Sequence, residues 1–125
     1  MEKTSKYSLA SSFGFAFSGI WQAIKKERNI KIHLTFAILV ILAGLYFNIA
    51  RVEWLALVII IALVLAAEIM NSSIEELCNL LKEKLNLEYN ETTLIRNFSA
   101  GAVLILAIGS AILGLMIFLP YLFSQ

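Results

Sequence analysis

"WLALVIIIALVLAAEIMNSSIEE", residues 54–76, begins as an uncharged apolar run and ends in two isolated carboxylates, an amide and a further Glu. Glu68, Asn71 and Glu75 are spaced i, i+3 and i+7, which puts them on one face of a helix. About 20 apolar helical residues cross about 30 Å of hydrocarbon, so the stretch predicts a membrane span that carries a polar face at one end. That face cannot look at lipid. An ionisable residue at membrane depth is costly and normally faces a bundle interior or a water-filled cavity.

The rest of the chain agrees with this reading. Of its 125 residues 60% are hydrophobic and one is Pro, and the mean hydropathy is +0.83, far from the balance of a soluble domain. Two further runs, residues 32–50 and 97–125, are long enough to span. The expected fold is all-α and integral to a membrane. One domain, residues 1–125, comprises an interfacial or cytoplasmic helical segment (1–31), three spans (32–50, 54–74 and 98–123) and a polar loop (76–96). A tight turn is expected at "ARVE", residues 50–53, and the stripe Leu77, Leu80, Leu81, Leu85 extends the second helix into the loop. Phe13, Phe17, Ile20, Trp21 and Ile24 recur at helical spacing and predict a helix lying in the membrane surface. Gly101, Gly109 and Gly114 suit close packing of the third span.

Charge sets the orientation. Lys3, Lys6, Lys25, Lys26, Arg28 and Lys31 precede the first span; Lys82, Lys84 and Arg96 lie in the second connection, and Arg51 stands alone in the first. The positive-inside bias then places the N-terminus and the 76–96 loop in the cytoplasm. A formal charge of +1 gives no reason to expect a nucleic acid partner. The lone Cys78 excludes an intrachain disulfide and a multi-cysteine metal site. The segment before residue 32 is aromatic and basic, without a small-residue cleavage site, so no signal peptide is expected.

The acidic residues are all Glu, so any acid chemistry rests on Glu. Carboxylate oxygens suit Mg²⁺, which takes one or two of them and completes its shell with water and phosphate oxygens. A deeper carboxylate can accept a proton from a hydroxyl arriving from the lipid side. Together these describe phosphoryl transfer to a lipid alcohol, although a proton or cation pathway uses the same residue types. In "KKERNIKIHL", residues 25–34, Glu27 sits among four basic residues just before the first span as a further candidate ligand. On its own this element is a positive-inside anchor with surface ion pairs. His33 reads as an interfacial hydrogen-bonding residue.

With these residues in view, the chain resembles the small prokaryotic diacylglycerol kinase family, which includes undecaprenol kinases. "AEIMNSSIEE", residues 67–76, is similar to the family's E-x-x-N-[ST]-A-I-E signature with Ser73 in place of Ala. "KKERNIKIHL", "EWLAL" (53–57), "SAGAVLI" (99–105) and "FLP" (118–120) fit in the same order. The resemblance implies a surface helix plus three transmembrane helices, a homotrimer with shared active sites, and MgATP-dependent phosphorylation of a lipid hydroxyl at a bacterial inner membrane. It further implies Glu68 as catalytic base beside Asn71, Glu27 and Glu75 as Mg²⁺ ligands, and Ser72 with Glu68 at the lipid substrate. Lys31, Asn79, Arg96 and Asn97 fall at its ATP-binding positions. Where the family carries Val-Asp and Lys-Asp, this chain carries Cys78-Asn79 and Arg96-Asn97; Ser8, Ser11 and Ser18 stand at often-basic positions. An amide only makes neutral hydrogen bonds, so the phosphate environment is expected to be less charged. These departures carry the alternative of a catalytically weak member acting as a trimeric membrane scaffold or lipid-binding protein.

Overall fold

Four α-helices and one short 3₁₀ turn, Tyr89–Glu91, organise residues 7–124 in this computed structural model. Lys3 and Lys6 lie outside the described residues. The helices are α1 (Leu9–Lys26), α2 (Arg28–Phe47), α3 (Arg51–Leu85) and α4 (Thr93–Phe123). At 1.5 Å per residue α2 is about 30 Å long, α3 about 53 Å and α4 about 47 Å. All three are long and apolar enough to cross a membrane, and α3 outruns the hydrocarbon by about 20 Å. No strand occurs among the described residues.

Local chemistry fixes the helix ends. The Ser8 hydroxyl accepts the Ser11 backbone N–H at 3.2 Å and caps α1. Glu27 alone is extended, with φ −99° and ψ 117°, and separates α1 from α2. The first long helix therefore starts at Arg28, four residues before the expected span. Asn48 takes the left-handed conformation, φ 51°, which Asn tolerates better than most residues, and ends α2. The first turn is residues 48–50, and "RVE" already belongs to α3, where the Glu53 carboxylate accepts the Ala50 N–H at 3.2 Å. On the second connection, Leu77 to Leu85 continue α3, Asn86 ends it at φ 54°, and α4 begins at Thr93. The helical extension expected of the stripe from Leu77 to Leu85 is present. Residues 86–92 are the true connection.

The short turn makes α2 and α3 antiparallel neighbours, and α4 packs back along α3. The packed core lies at the turn end, where Ile49, Leu57 and Ile117 meet Phe47, Trp54, Phe118 and Tyr121. There the Tyr121 hydroxyl donates to the Glu53 carboxylate at 2.6 Å. Gly44 lies beneath the Trp54 indole: a Cβ built on it would meet Trp54 Cη2 at 2.7 Å and Cζ2 at 2.9 Å. Within the chain, Gly101, Gly109 and Gly114 have no neighbour within 4 Å of such a Cβ among the described residues, so the close approach inside one copy is on α2. Gly44→Ala is expected to destabilise the protein by about 1–3 kcal/mol, the usual cost of overpacking. Unfolding titration in detergent measures this directly.

Away from that core Ile30, Val64, Cys78 and Val103 are buried, but much of the remaining apolar surface is uncovered. No residue of α1 is buried, and Phe13, Phe17 and Trp21 are each more than half exposed. Contiguous apolar surface on this scale marks contact with lipid or with other protein. The helical spacing of that stripe becomes an α-helix that its own chain leaves bare.

Candidate functional site

The α3 face read from the sequence turns into the protein. Glu68 is 4% exposed and Asn71 7%, while Ser72 and Glu75 are half-buried. Because α2 and α3 are antiparallel, the first two turns of α2 face this part of α3. His33 Nε2 lies 3.3 Å from Glu68 Oε1. One helical turn further, the Asn71 side-chain amide donates to Glu75 Oε1 at 3.3 Å. The Asn71 carbonyl oxygen Oδ1 is buried and has no hydrogen-bond partner among the described residues. A buried acceptor without a donor costs about 1–3 kcal/mol, so this oxygen is open to a donor or a cation.

A second cluster forms between α3 and the start of α4. Arg96 Nη2 donates to Asn79 Oδ1 at 2.8 Å, and its Nε donates to the buried Thr92 hydroxyl at 3.0 Å. The guanidinium lies 4.8 Å from the centre of the Tyr89 ring, with Lys82 Nζ 5.5 Å from the same ring. An aromatic face attracts both cations. Asn79 thus gives Arg96 an oxygen acceptor without cancelling its charge.

The remaining sequence-derived residues are more loosely placed. Glu27 is half-buried at the joint between α1 and α2. Lys31 and Asn97 are exposed, and neither side chain makes a hydrogen bond among the described residues. No three His, Cys, Asp or Glu side chains gather as a metal cage there. Mg²⁺ does not require one, since it keeps several waters and uses one or two carboxylates plus phosphate oxygens. The half-buried Glu75 and the unpartnered Asn71 oxygen are hard oxygen donors on adjacent turns, and they fit that pattern.

Sequence reasoning did not find the His33 contact. One His ahead of a span carries no signal of its partner, because the pairing depends on the register between α2 and α3. His33 also lines an apolar crevice of about 620 Å³ between α2, α3 and α4, along with Val40, Leu57, Val64, Ala107 and Phe118. The crevice extends toward the turn end of the bundle. Glu68 is not among its lining residues and meets it through the contact with His33.

Comparison with known proteins bears on this geometry. The family described as prokaryotic diacylglycerol kinase matches residues 14–118. An undecaprenol kinase of Bacillus subtilis (strain 168) is 32% identical over 111 residues, covering 89% of this chain and 88% of that protein. A diacylglycerol kinase of Synechocystis sp. is 30% identical over 118 residues, covering 94% of this chain and 66% of that protein. No solved structure gives a significant match.

Proposed function

This chain belongs to the prokaryotic diacylglycerol kinase family, a family of lipid kinases, and on that premise we propose that it transfers the γ-phosphoryl group of MgATP to a lipid alcohol, undecaprenol or diacylglycerol. The reaction is placed at the cytoplasmic face of a bacterial inner membrane, with the N-terminus in the cytoplasm. The observation that carries this reading is the carboxylate of Glu68, 4% exposed and adjoining an apolar crevice through His33. A hydroxyl on a long apolar tail is the substrate such a place suits.

Glu68 takes the role of general base. It accepts the hydroxyl proton as the lipid oxygen bonds to the γ-phosphorus, and the breaking P–O bond leaves its electron pair on ADP. Phosphoryl transfer calls for little covalent chemistry from the protein and depends on positioning and charge neutralisation. Glu75 and Glu27 are the proposed Mg²⁺ ligands, with Asn71 beside Glu75; a bound Mg²⁺ neutralises phosphate charge. Ser72 lies next to Asn71 and is assigned with Glu68 to the lipid headgroup. Arg96 is assigned to the nucleotide phosphates with Asn79 holding it, and Lys31 and Asn97 are assigned to the same nucleotide. A homotrimer agrees with the bare apolar faces of the helices, which a single copy leaves uncovered.

Labelled γ-phosphate transfer from MgATP to undecaprenol and to diacylglycerol, side by side in mixed micelles, tests this reading. Product on at least one lipid, dependent on Mg²⁺, is expected. The same assay separates the roles of Arg96 and Asn97. Arg96→Ala is expected to lower kcat/KM for MgATP roughly 100-fold, because a charge-assisted contact to phosphate is lost. Asn97→Asp is expected to change turnover by less than about threefold, in line with an exposed side chain that touches nothing. A rise well beyond that would make the Asn97 amide the limit on catalysis and favour the weakly active scaffold.

A further inference from the structure

We infer that His33 is a positioning residue that holds the Glu68 carboxylate in register with the lipid hydroxyl, an inference that rests on the kinase reading above. Its Nε2 lies 3.3 Å from Glu68 Oε1, the one contact between oppositely ionisable side chains within the ion-pair distance among the described residues. The Glu68 side chain is 5% exposed and that of His33 24%. A carboxylate has two oxygens; with Oε1 directed at the ring, Oε2 is left for a substrate hydroxyl. His33 is at the same time a wall residue of the apolar crevice. One imidazole therefore touches both the base and the space suited to a lipid tail.

The elements explain why a ring is needed here. His33 projects from α2 and Glu68 from α3, two helices joined by the 48–50 turn and packed at the opposite end through Gly44 and Trp54. Glu68 has no hydrogen-bond partner on its own helix among the described residues, and Asn71, one turn away, is engaged with Glu75. Among the described residues His33 is the one charged or hydrogen-bonding side chain that meets this buried carboxylate. A displacement of about 1 Å at a reacting group can cost roughly 100-fold in rate. Catalytic contacts are often long or poorly aligned before substrate binds and tighten in the loaded complex; the 3.3 Å approach is within ion-pair distance but short of hydrogen-bond alignment, and such tightening would complete it.

Two measurements on the full-length protein in detergent test this. His33 is the sole histidine, so ¹⁵N-histidine labelling reports one imidazole, with no need for turnover. Glu68→Gln is expected to shift the ring nitrogen resonances; identical spectra would overturn the contact. In the kinase assay, His33→Phe keeps a ring on the crevice wall but removes the N–H, and kcat is expected to fall roughly 10- to 100-fold with KM for MgATP unchanged. His33→Gln restores an N–H donor and should recover most of that loss. Full kcat in His33→Phe, or equal loss in Phe and Gln variants that remain folded, would overturn the positioning role. Absence of lipid phosphate from the wild type would instead count against the kinase reading, and the spectra would still decide the contact.

Discussion

Glu68→Gln is expected to lower kcat about 10³-fold, within the 10²- to 10⁴-fold range that general-base catalysis contributes, while the protein stays folded. The amide keeps the shape of the side chain and a carbonyl oxygen that can face His33 Nε2. It loses the capacity to take a proton from the lipid hydroxyl. Because Glu68 is buried, substitution by an apolar residue would confuse loss of the base with repacking; Gln separates the two. Turnover in mixed micelles, with unfolding titration on the same preparation, provides the comparison. KM for MgATP should stay within about twofold, since the group acts on the lipid hydroxyl and removes transition-state rather than ground-state interaction. The proton or cation pathway considered from the sequence has no place for ATP-dependent lipid turnover that Glu68→Gln abolishes.

Glu75→Gln is expected to act through Mg²⁺. Glu75 Oε1 accepts from the Asn71 amide at 3.3 Å, and the glutamine oxygen can still accept that bond. The buried polar arrangement is therefore preserved while the charge is removed. A carboxylate is the ligand type Mg²⁺ binds, and a neutral amide oxygen is a weaker substitute. Turnover at fixed Mg²⁺ should fall roughly 100-fold, and the Mg²⁺ concentration for half-maximal rate should rise at least about tenfold, in keeping with the loss of a direct metal ligand. A Mg²⁺ titration of both proteins at saturating ATP reads both quantities. An unchanged Mg²⁺ dependence would remove Glu75 from the metal site.

Much of this was legible in the residues because two periodicities are strong here. The uncharged runs give the three membrane-crossing helices, and the i, i+3, i+7 spacing gives the α3 face that turns Glu68 and Asn71 inward. Boundaries were less legible. Continuation of α3 through "EELCNLLKEKL" was legible from Leu at helical spacing among good helix formers, but its stop at Asn86 was not. Likewise α2 begins at Arg28, since a polar first turn is as compatible with helix as an apolar one. The Gly44 contact with Trp54 and the His33 contact with Glu68 depend on how two helices align. One-dimensional patterns carry no such register. The Asn79 departure shows the same limit: as a letter it is a missing charge, whereas in the structure its oxygen holds the Arg96 guanidinium at 2.8 Å.

The most direct test is a stoichiometry. Purified protein in mixed micelles, given MgATP and either lipid alcohol, should release one ADP for each lipid phosphomonoester formed, and neither product should accumulate when the lipid lacks its hydroxyl. ADP without lipid phosphate, or neither product from folded protein on both alcohols, would contradict the assignment of the Glu68 site to lipid phosphorylation.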